Sequence, residues 1–322
     1  MLVLWRVTDR CNLGCGFCAY DRTLSGQRTD ADVAMIRRFG AVLAEYQRTV
    51  GEGVLVSWIG GEPFLFPQLS DLTAYFAEQL GLRISATTNG TTLASAVVRQ
   101  HILENYSELT ISVDGIGLVH DDLRGWQDGY RTLHKSVTQL VEAKVQQKRG
   151  LRLRANVLLM RQTISGFENL CLQLARWGFN EITFNQLGGR DRPDFFPAHR
   201  LLPEDAYWLI RNVPRIRARL AAHNVKLNGA DHYLKRIMFS SRNEKLPVSN
   251  CSPGQQFLFI DETGNVSPCS FTTKDYGVKL SDFGSVDTLL ELPGRFAALQ
   301  KRSTLAACQD CHSTQVFAKF AA

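Results

Sequence analysis

The sequence predicts an α/β protein, a mostly parallel sheet with crossover helices, followed by a small α+β unit. Three observations carry that expectation. Short β-branched or apolar runs alternate with longer amphipathic stretches six times. Each pair fits a strand linked to the next by a helix, the unit from which right-handed crossovers build parallel sheets, flat or curled toward a barrel. After about residue 235 the alternation stops, and only a short hairpin and one helix follow.

Strands are expected at 2–8, 54–59, 83–88, 109–113, 151–159 and 181–185. The first intervening helix, 32–47, carries an apolar stripe of Val33, Met35, Ile36, Phe39, Val42, Leu43 and Tyr46, with Asp30 placed as its N-cap. Further helices fit 68–80, 93–105, 130–147, 166–177 and 204–223. Residues 236–254 read as irregular, and 255–271 as a hairpin turning at Glu262-Thr263-Gly264-Asn265. A last helix covers 287–302. This divides the chain into 1–235 and 236–322. In parallel α/β folds reaction sites collect at the carboxyl ends of the strands, where most residues singled out below fall.

Composition narrows the function. No run of 18 apolar residues appears, and the opening apolar stretch is too short for a signal-peptide core, so a cytoplasmic protein is expected. The formal charge is +6, but Lys and Arg are scattered rather than gathered, which argues against nucleic acid as partner. Eight cysteines without a secretion signal point to metal or catalysis rather than disulfides.

Three of them form Cys11-Asn-Leu-Gly-Cys15-Gly-Phe-Cys18, directly after the first strand. Three thiolates on one loop can hold three irons of a cubane and leave the fourth open to a ligand. Gly14 and Gly16 suit a loop wrapped tightly around such a group. The competing reading is a structural zinc loop, which needs a distant fourth ligand.

This C-x3-C-x-aromatic-C segment, with Phe17 in the aromatic slot, resembles the signature of the radical S-adenosylmethionine (SAM) superfamily. Further elements of that family recur in order over the first 230 or so residues. They are Gly60-Gly61-Glu62-Pro63, Thr87-Thr88-Asn89-Gly90 and Ser112-Val113-Asp114-Gly115, each at a strand end. The resemblance implies a partial (β/α)6 TIM-type barrel. It also implies a [4Fe–4S] cluster on Cys11, Cys15 and Cys18 that binds SAM and yields a 5′-deoxyadenosyl radical. Gly60, Gly61 and Glu62 are then expected at the methionine moiety, with Glu62 paired to its ammonium. Tyr20 is expected near the adenine, and Asn89, Ser112, Asp114 and Asn156 at the remaining cofactor contacts. For Asp114 capping of the turn before Gly115 is an equal alternative.

The second group is Cys251, Cys269 and the Cys308-Gln-Asp-Cys311 pair, with Gly264 giving G-x4-C before Cys269. This resembles the auxiliary-cluster extension called SPASM, or its shorter form, twitch. No cysteine follows Cys311, so one auxiliary [4Fe–4S] cluster is implied. A four-thiolate zinc site is the alternative, and His312 a possible substitute ligand.

Among weaker candidates, Cys171 reads as a core cysteine or as a hydrogen-atom donor. The stretches 115–129, with His120, Asp121, Asp122 and Arg124, and 188–203, with Arg190, Asp191, Arg192 and His199, read as solvated surface or substrate loops. Arg154 or one of these loop residues, His120 among them, is a candidate base for an oxidation. The single-auxiliary-cluster pattern resembles that of 2-deoxy-scyllo-inosamine dehydrogenases. That implies oxidation or rearrangement of a small polar metabolite, such as an aminocyclitol, amino sugar or nucleoside. The alternative is modification of a short ribosomal peptide. Either chemistry implies a one-electron donor such as flavodoxin or ferredoxin.

Overall fold

The structure is a computed structural model that describes residues 1–248 and 250–320. Ten strands form one open sheet in the order β10-β9-β8-β1-β2-β3-β4-β5-β6-β7. The strands are β1 Leu2–Thr8, β2 Leu55–Gly60, β3 Arg83–Thr88, β4 Glu108–Ser112, β5 Arg152–Leu159, β6 Glu181–Gln186, β7 Lys226–Leu227, β8 Phe257–Ile260, β9 Asn265–Ser267 and β10 Val278–Lys279. β1 to β7 run parallel in chain order, the partial-barrel architecture expected from the alternating pattern.

The connecting helices are α1 Val33–Val50, α2 Leu69–Ala74, α3 Ala96–Asn105, α4 Leu118–Arg124, α5 Gly129–Gln146, α6 Phe167–Arg176, α7 Phe196–His199, α8 Pro203–Ala221 and α9 Asp231–Ser241. The C-terminal part adds α10 Thr273–Tyr276, α11 Val286–Arg302 and α12 Ala306–Gln309. Among the described residues no helix is long and apolar enough to cross a membrane.

Strand alternation sorts the side chains into two layers. Val3, Trp5 and Val7 on β1 are buried, and Trp5 meets Phe39 of α1 edge to face, ring centroids 5.7 Å apart. Leu2 and Leu4, on the other face, line the barrel lumen. The stripe read on the first helix is its core face, from Ile36 to Tyr46.

Several local expectations are corrected. The N-cap of α1 is Asp32, whose carboxylate accepts from the Met35 amide (2.7 Å). Asp30 instead accepts from Thr8 Oγ1 (2.6 Å) and fastens the end of β1. Residues 236–241, read as irregular, complete α9, so residue 235 falls inside a helix. β8 pairs in parallel with β1, and β9 folds back on β8, so the C-terminal hairpin extends the barrel sheet. Asp261 organises the hairpin turn by accepting from the Thr263 (3.0 Å) and Asn265 (2.8 Å) amides.

Candidate active site

β1 ends at Thr8, and the chain enters the loop bearing Cys11, Cys15 and Cys18. The Cys18 amide donates to the Cys15 carbonyl (2.9 Å), which closes a tight turn. Burial pushes all three thiols up, Cys15 to about 12. Thiols of that kind keep their protons in water and release them only to a metal. Each sulfur also has an N–H group nearby. Asn89 Nδ2 stands 3.8 Å from Cys11 Sγ, Arg124 Nη1 4.0 Å from Cys15 Sγ, and the Tyr20 amide 3.4 Å from Cys18 Sγ. Three thiol donors with cationic and amide N–H groups beside them suit an anionic iron–sulfur centre.

Gly14 and Gly16 are not the glycines that tight packing demands. A Cβ at either meets nothing closer than 3.4 Å. The demanding positions are Gly60 and Gly61 at the end of β2. A Cβ there would stand 2.4 Å from the Thr8 carbonyl oxygen and 2.2 Å from that of Arg10. The Gly61 amide donates to Thr8 (2.9 Å) and the Glu62 amide to Arg10 (2.7 Å), so the end of β2 lies directly on the root of the cysteine loop.

Glu62 is fully buried and its carboxylate turns into the protein. It accepts from Thr88 Oγ1 (2.7 Å) and from the Asn89 (2.7 Å) and Phe64 (3.3 Å) amides. Burial pushes its carboxyl up to about 7. Asn89 carries this bracing on to the loop by donating to Asn12 Oδ1 (3.0 Å).

At the end of β4, Asp114 is also fully buried. It pairs with Arg124 of α4 (2.6 Å) and accepts from the Leu158 amide of β5 (2.8 Å). It therefore ties β4, α4 and β5 together, and the turn-capping alternative is replaced by a longer-range contact. Ser112 precedes it and lies opposite Asn156 in the β4–β5 register. In the 115–129 stretch Asp122 is exposed, but the solvated-surface reading is corrected for His120 and Arg124, which are buried. Arg124 is 9% exposed and His120 fully buried against Trp126 and Tyr130. His120 Nδ1 accepts from the Asp114 amide (3.3 Å), and burial, reinforced by Arg124, lowers its pKa to about 4. A histidine so enclosed is a packing residue, not a base with access to substrate. Cys171 is fully buried in α6 with its thiol pushed up by desolvation, the core alternative.

Inside the sheet lies a lumen of about 630 Å3, into which Gly60, Arg154, Asn156 and Asn185 face. Arg154 is clamped by Glu108 (3.0 Å) and Glu181 (2.8 Å). A guanidinium held by two carboxylates stays charged and cannot accept a proton, so the base expectation for Arg154 is corrected on chemical grounds. Tyr20 lies outside this lumen lining, and its hydroxyl accepts from Arg6 Nη1 (2.6 Å). Arg6 also pairs with Glu262 in the hairpin turn, linking the cysteine loop to the C-terminal unit. Of the 188–203 stretch, Arg192 pairs with Asp21 (3.2 Å) and His199 stacks on Phe195.

Cys251, Cys269, Cys308 and Cys311, up to 60 residues apart in sequence, line one cavity of about 60 Å3, with Cys251 exposed at its edge. Backbone bonds from Val248 to the Cys308 carbonyl and from Cys311 to the Leu246 carbonyl, both 3.0 Å, hold the C-x2-C turn against residues 246–248. Burial pushes Cys251, Cys308 and Cys311 up, Cys311 to about 11, and the neighbouring cysteines add to each. These three raised thiols, with Cys269 on the same wall, are a donor set that a multivalent cation or cluster relieves. Among the described residues no group of three His, Cys, Asp or Glu closes tightly enough to hold a single metal ion. His312 turns away from this cavity, accepts from Arg236 Nη2 (2.6 Å) and lines the lumen instead, which corrects its reading as a substitute ligand.

Cys269 and Phe271 belong to both walls, so the four-cysteine cavity and the lumen are neighbours. Sequence reasoning missed Lys319, which enters the lumen from the 312–320 segment, and Arg236, which braces Asp310 beside the cysteine pair (2.8 Å). Neither has a local motif to announce it.

Comparison with known proteins places this geometry. The family model described as the radical SAM superfamily matches residues 5–125. An AdoMet-dependent heme synthase of Oleidesulfovibrio alaskensis is 25% identical over 295 residues, 86% of this chain and 71% of that protein. A PqqA peptide cyclase of Xanthomonas euvesicatoria is 26% identical over 83% of this chain and 67% of its own. Among solved structures, SuiB of Streptococcus suis bound to S-adenosylmethionine superposes with a TM-score of 0.68 at 14% identity, over 98% of this chain and 71% of that one. That family implies a [4Fe–4S] cluster and SAM. Residues 5–125 of this chain form a radical SAM superfamily domain.

Proposed function

We propose that this enzyme oxidises or rearranges a small polar metabolite in its barrel lumen, with a second [4Fe–4S] cluster on Cys251, Cys269, Cys308 and Cys311. The observation that carries this reading is the shared wall. Cys269 lines both the four-cysteine cavity and a lumen edged by Ser85, Thr110, Asn156, Thr183 and Asn185. A cavity of several hundred Å3 that combines apolar walls with convergent hydroxyl and amide groups suits a metabolite carrying several polar groups.

When bound, SAM and the first cluster would supply the chemistry of hydrogen-atom abstraction, and the second cluster a one-electron exchange site. The chain's own residues do the rest. Cys11, Cys15 and Cys18 hold the first cluster, with Arg124 as the nearby cation. The Gly60–Gly61 backbone would hold the methionine end of SAM, since Glu62 is fully buried. Glu62 and Asn89 keep that backbone and the cysteine loop in register. Asn156 and Asn185 present amide groups to cofactor or substrate. The part of the chain after α9 acts as the auxiliary unit, and a flavodoxin or ferredoxin supplies the electron.

A second reading is modification of a short peptide, favoured by the likeness to the peptide cyclase. It assigns the same roles to both cysteine groups and differs only in what fills the lumen.

The test is iron and sulfide per chain after anaerobic reconstitution, on the wild type and on a Cys251→Ala/Cys269→Ala/Cys308→Ala variant. About eight irons falling to about four, with 5′-deoxyadenosine still formed, is the expected result. About four irons in both proteins overturns the auxiliary-cluster reading.

A further inference from the structure

We infer that the lumen recognises a carboxylate-bearing substrate, and that Lys319 is the specificity-determining residue that binds the carboxylate. The inference deepens the proposed function and rests on the lumen being the substrate cavity.

Lys319 is 6% exposed and lines the lumen. Its ammonium has a single neutral partner, Asn156 Oδ1 at 3.1 Å, and among the described residues it forms no ion pair. The charges around it do not supply one. Arg154 is held between Glu108 and Glu181, and Arg152 approaches the same two carboxylates at 3.7 and 3.6 Å. Two guanidinium groups and two carboxylates cancel, and His312 on the lumen wall accepts from Arg236. Among the described residues, Lys319 is left as the excess cation of the cavity. Burying a charge without a counter-charge is costly, and an anion from the ligand removes that cost.

The backbone is built to put it there. Ala318 adopts a left-handed conformation (φ 52°), the Lys319 amide donates to the Thr314 carbonyl (3.1 Å), and the Ala318 carbonyl accepts from the Ala230 amide (3.4 Å). A non-glycine residue in that region is held by its surroundings, here a turn that directs the next side chain inward. Burial, with Arg154 second, lowers the lysine to about 7, the response of an ammonium lacking its anion. Arg154, Lys319 and the ring of Phe320 cluster together, with the two cations 5.4 and 5.1 Å from the ring centroid. A carboxylate at Lys319 would thus sit on the lumen wall beside Asn156, with the rest of the ligand toward Gly60.

The probes are acetate and its neutral isostere acetamide, used on the reconstituted holoenzyme. Reductive methylation of Lys319 is followed by peptide mass spectrometry. Acetate at about ten times its dissociation constant is expected to slow modification about tenfold, and acetamide to leave it unchanged. Saturation-transfer NMR of acetate is expected to persist in Lys319→Arg and vanish in Lys319→Gln. Equal protection by acetate and acetamide, or acetate transfer undiminished in Lys319→Gln, overturns the inference. The methylation comparison decides alone if the Gln variant does not fold. About eight irons per chain without acetate selectivity sinks this inference only, while about four irons with selectivity intact sinks the auxiliary cluster only.

Discussion

The two cysteine groups solve opposite problems. Cys11, Cys15 and Cys18 lie within eight residues on one loop, so the chain brings them together at little entropic cost and the rest of the fold supplies their surroundings. Cys251, Cys269, Cys308 and Cys311 are gathered from a linker, a hairpin and a helical turn, so the fold must assemble them before they can act together. The first group has three donors, a cation beside Cys15 and a close-packed double glycine beneath it. The second has four donors and shares a wall with the lumen. In the proposed function, donor number would separate a site that leaves iron open to SAM from one that closes around its cluster, and the wall shared with the lumen would suit the second to electron exchange.

The sharpest way to break this comparison is to remove one ligand from each side. Cys15→Ala is expected to abolish 5′-deoxyadenosine formation, read by chromatography after anaerobic turnover. Cys269→Ala is expected to leave SAM cleavage measurable and to abolish substrate conversion. Equal effects of the two substitutions would mean that the groups do not divide the labour.

Next in size is the cation beside Cys15. Arg124→Met leaves Asp114 buried and unpaired, and breaking such a pair costs about 3–5 kcal/mol. Chemical denaturation of the apoprotein measures this, and adding Asp114→Asn should recover part of the loss. Iron retention at the first site is expected to fall with Arg124→Met while the C-terminal site keeps its iron. Gly61→Ala acts from the other side of the loop, where its Cβ would meet the Arg10 carbonyl oxygen at 2.2 Å. Overpacking of that kind costs about 1–3 kcal/mol. Gly14→Ala, with nothing nearer than 3.6 Å, should be nearly neutral by the same measurement.

How much of this was legible in the sequence follows the same local-versus-assembled divide. Strands β1 and β3 match their expected bounds, because alternation of apolar residues is a short-range signal. The cysteine loop and the glycine pair were legible for the same reason. Glu62 shows where that stops: its type and place were read correctly, but its inward turn depends on Thr88 and Asn89 on another strand. His120 and Arg124 read as loop charges because nothing local reveals that Asp114 lies beneath them. Lys319 was invisible, since its meaning comes from Arg154 and Asn156 more than 160 residues away. The two-residue strand β7 and the end of α9 carry too few apolar repeats to register as pattern.

The smallest effect concerns the packing beneath the first site. The pKa of His120 is about 4 in the fold, below its ordinary 6.5, because burial and Arg124 both oppose the imidazolium. The unfolded chain therefore takes up the proton first as pH falls. Stability from the neutral ring is complete above pH 6.5 and is lost progressively toward pH 4, amounting to about 2 kcal/mol at pH 5. In His120→Asn this part of the acid slope should disappear, read as the apoprotein's denaturation midpoint against pH. Because the ring sits against the Asp114–Arg124 pair and not against the four-cysteine cavity, acid should loosen the first site before the second. An acid slope identical in the wild type and His120→Asn would place the proton uptake elsewhere and remove His120 from the support of the three-cysteine loop.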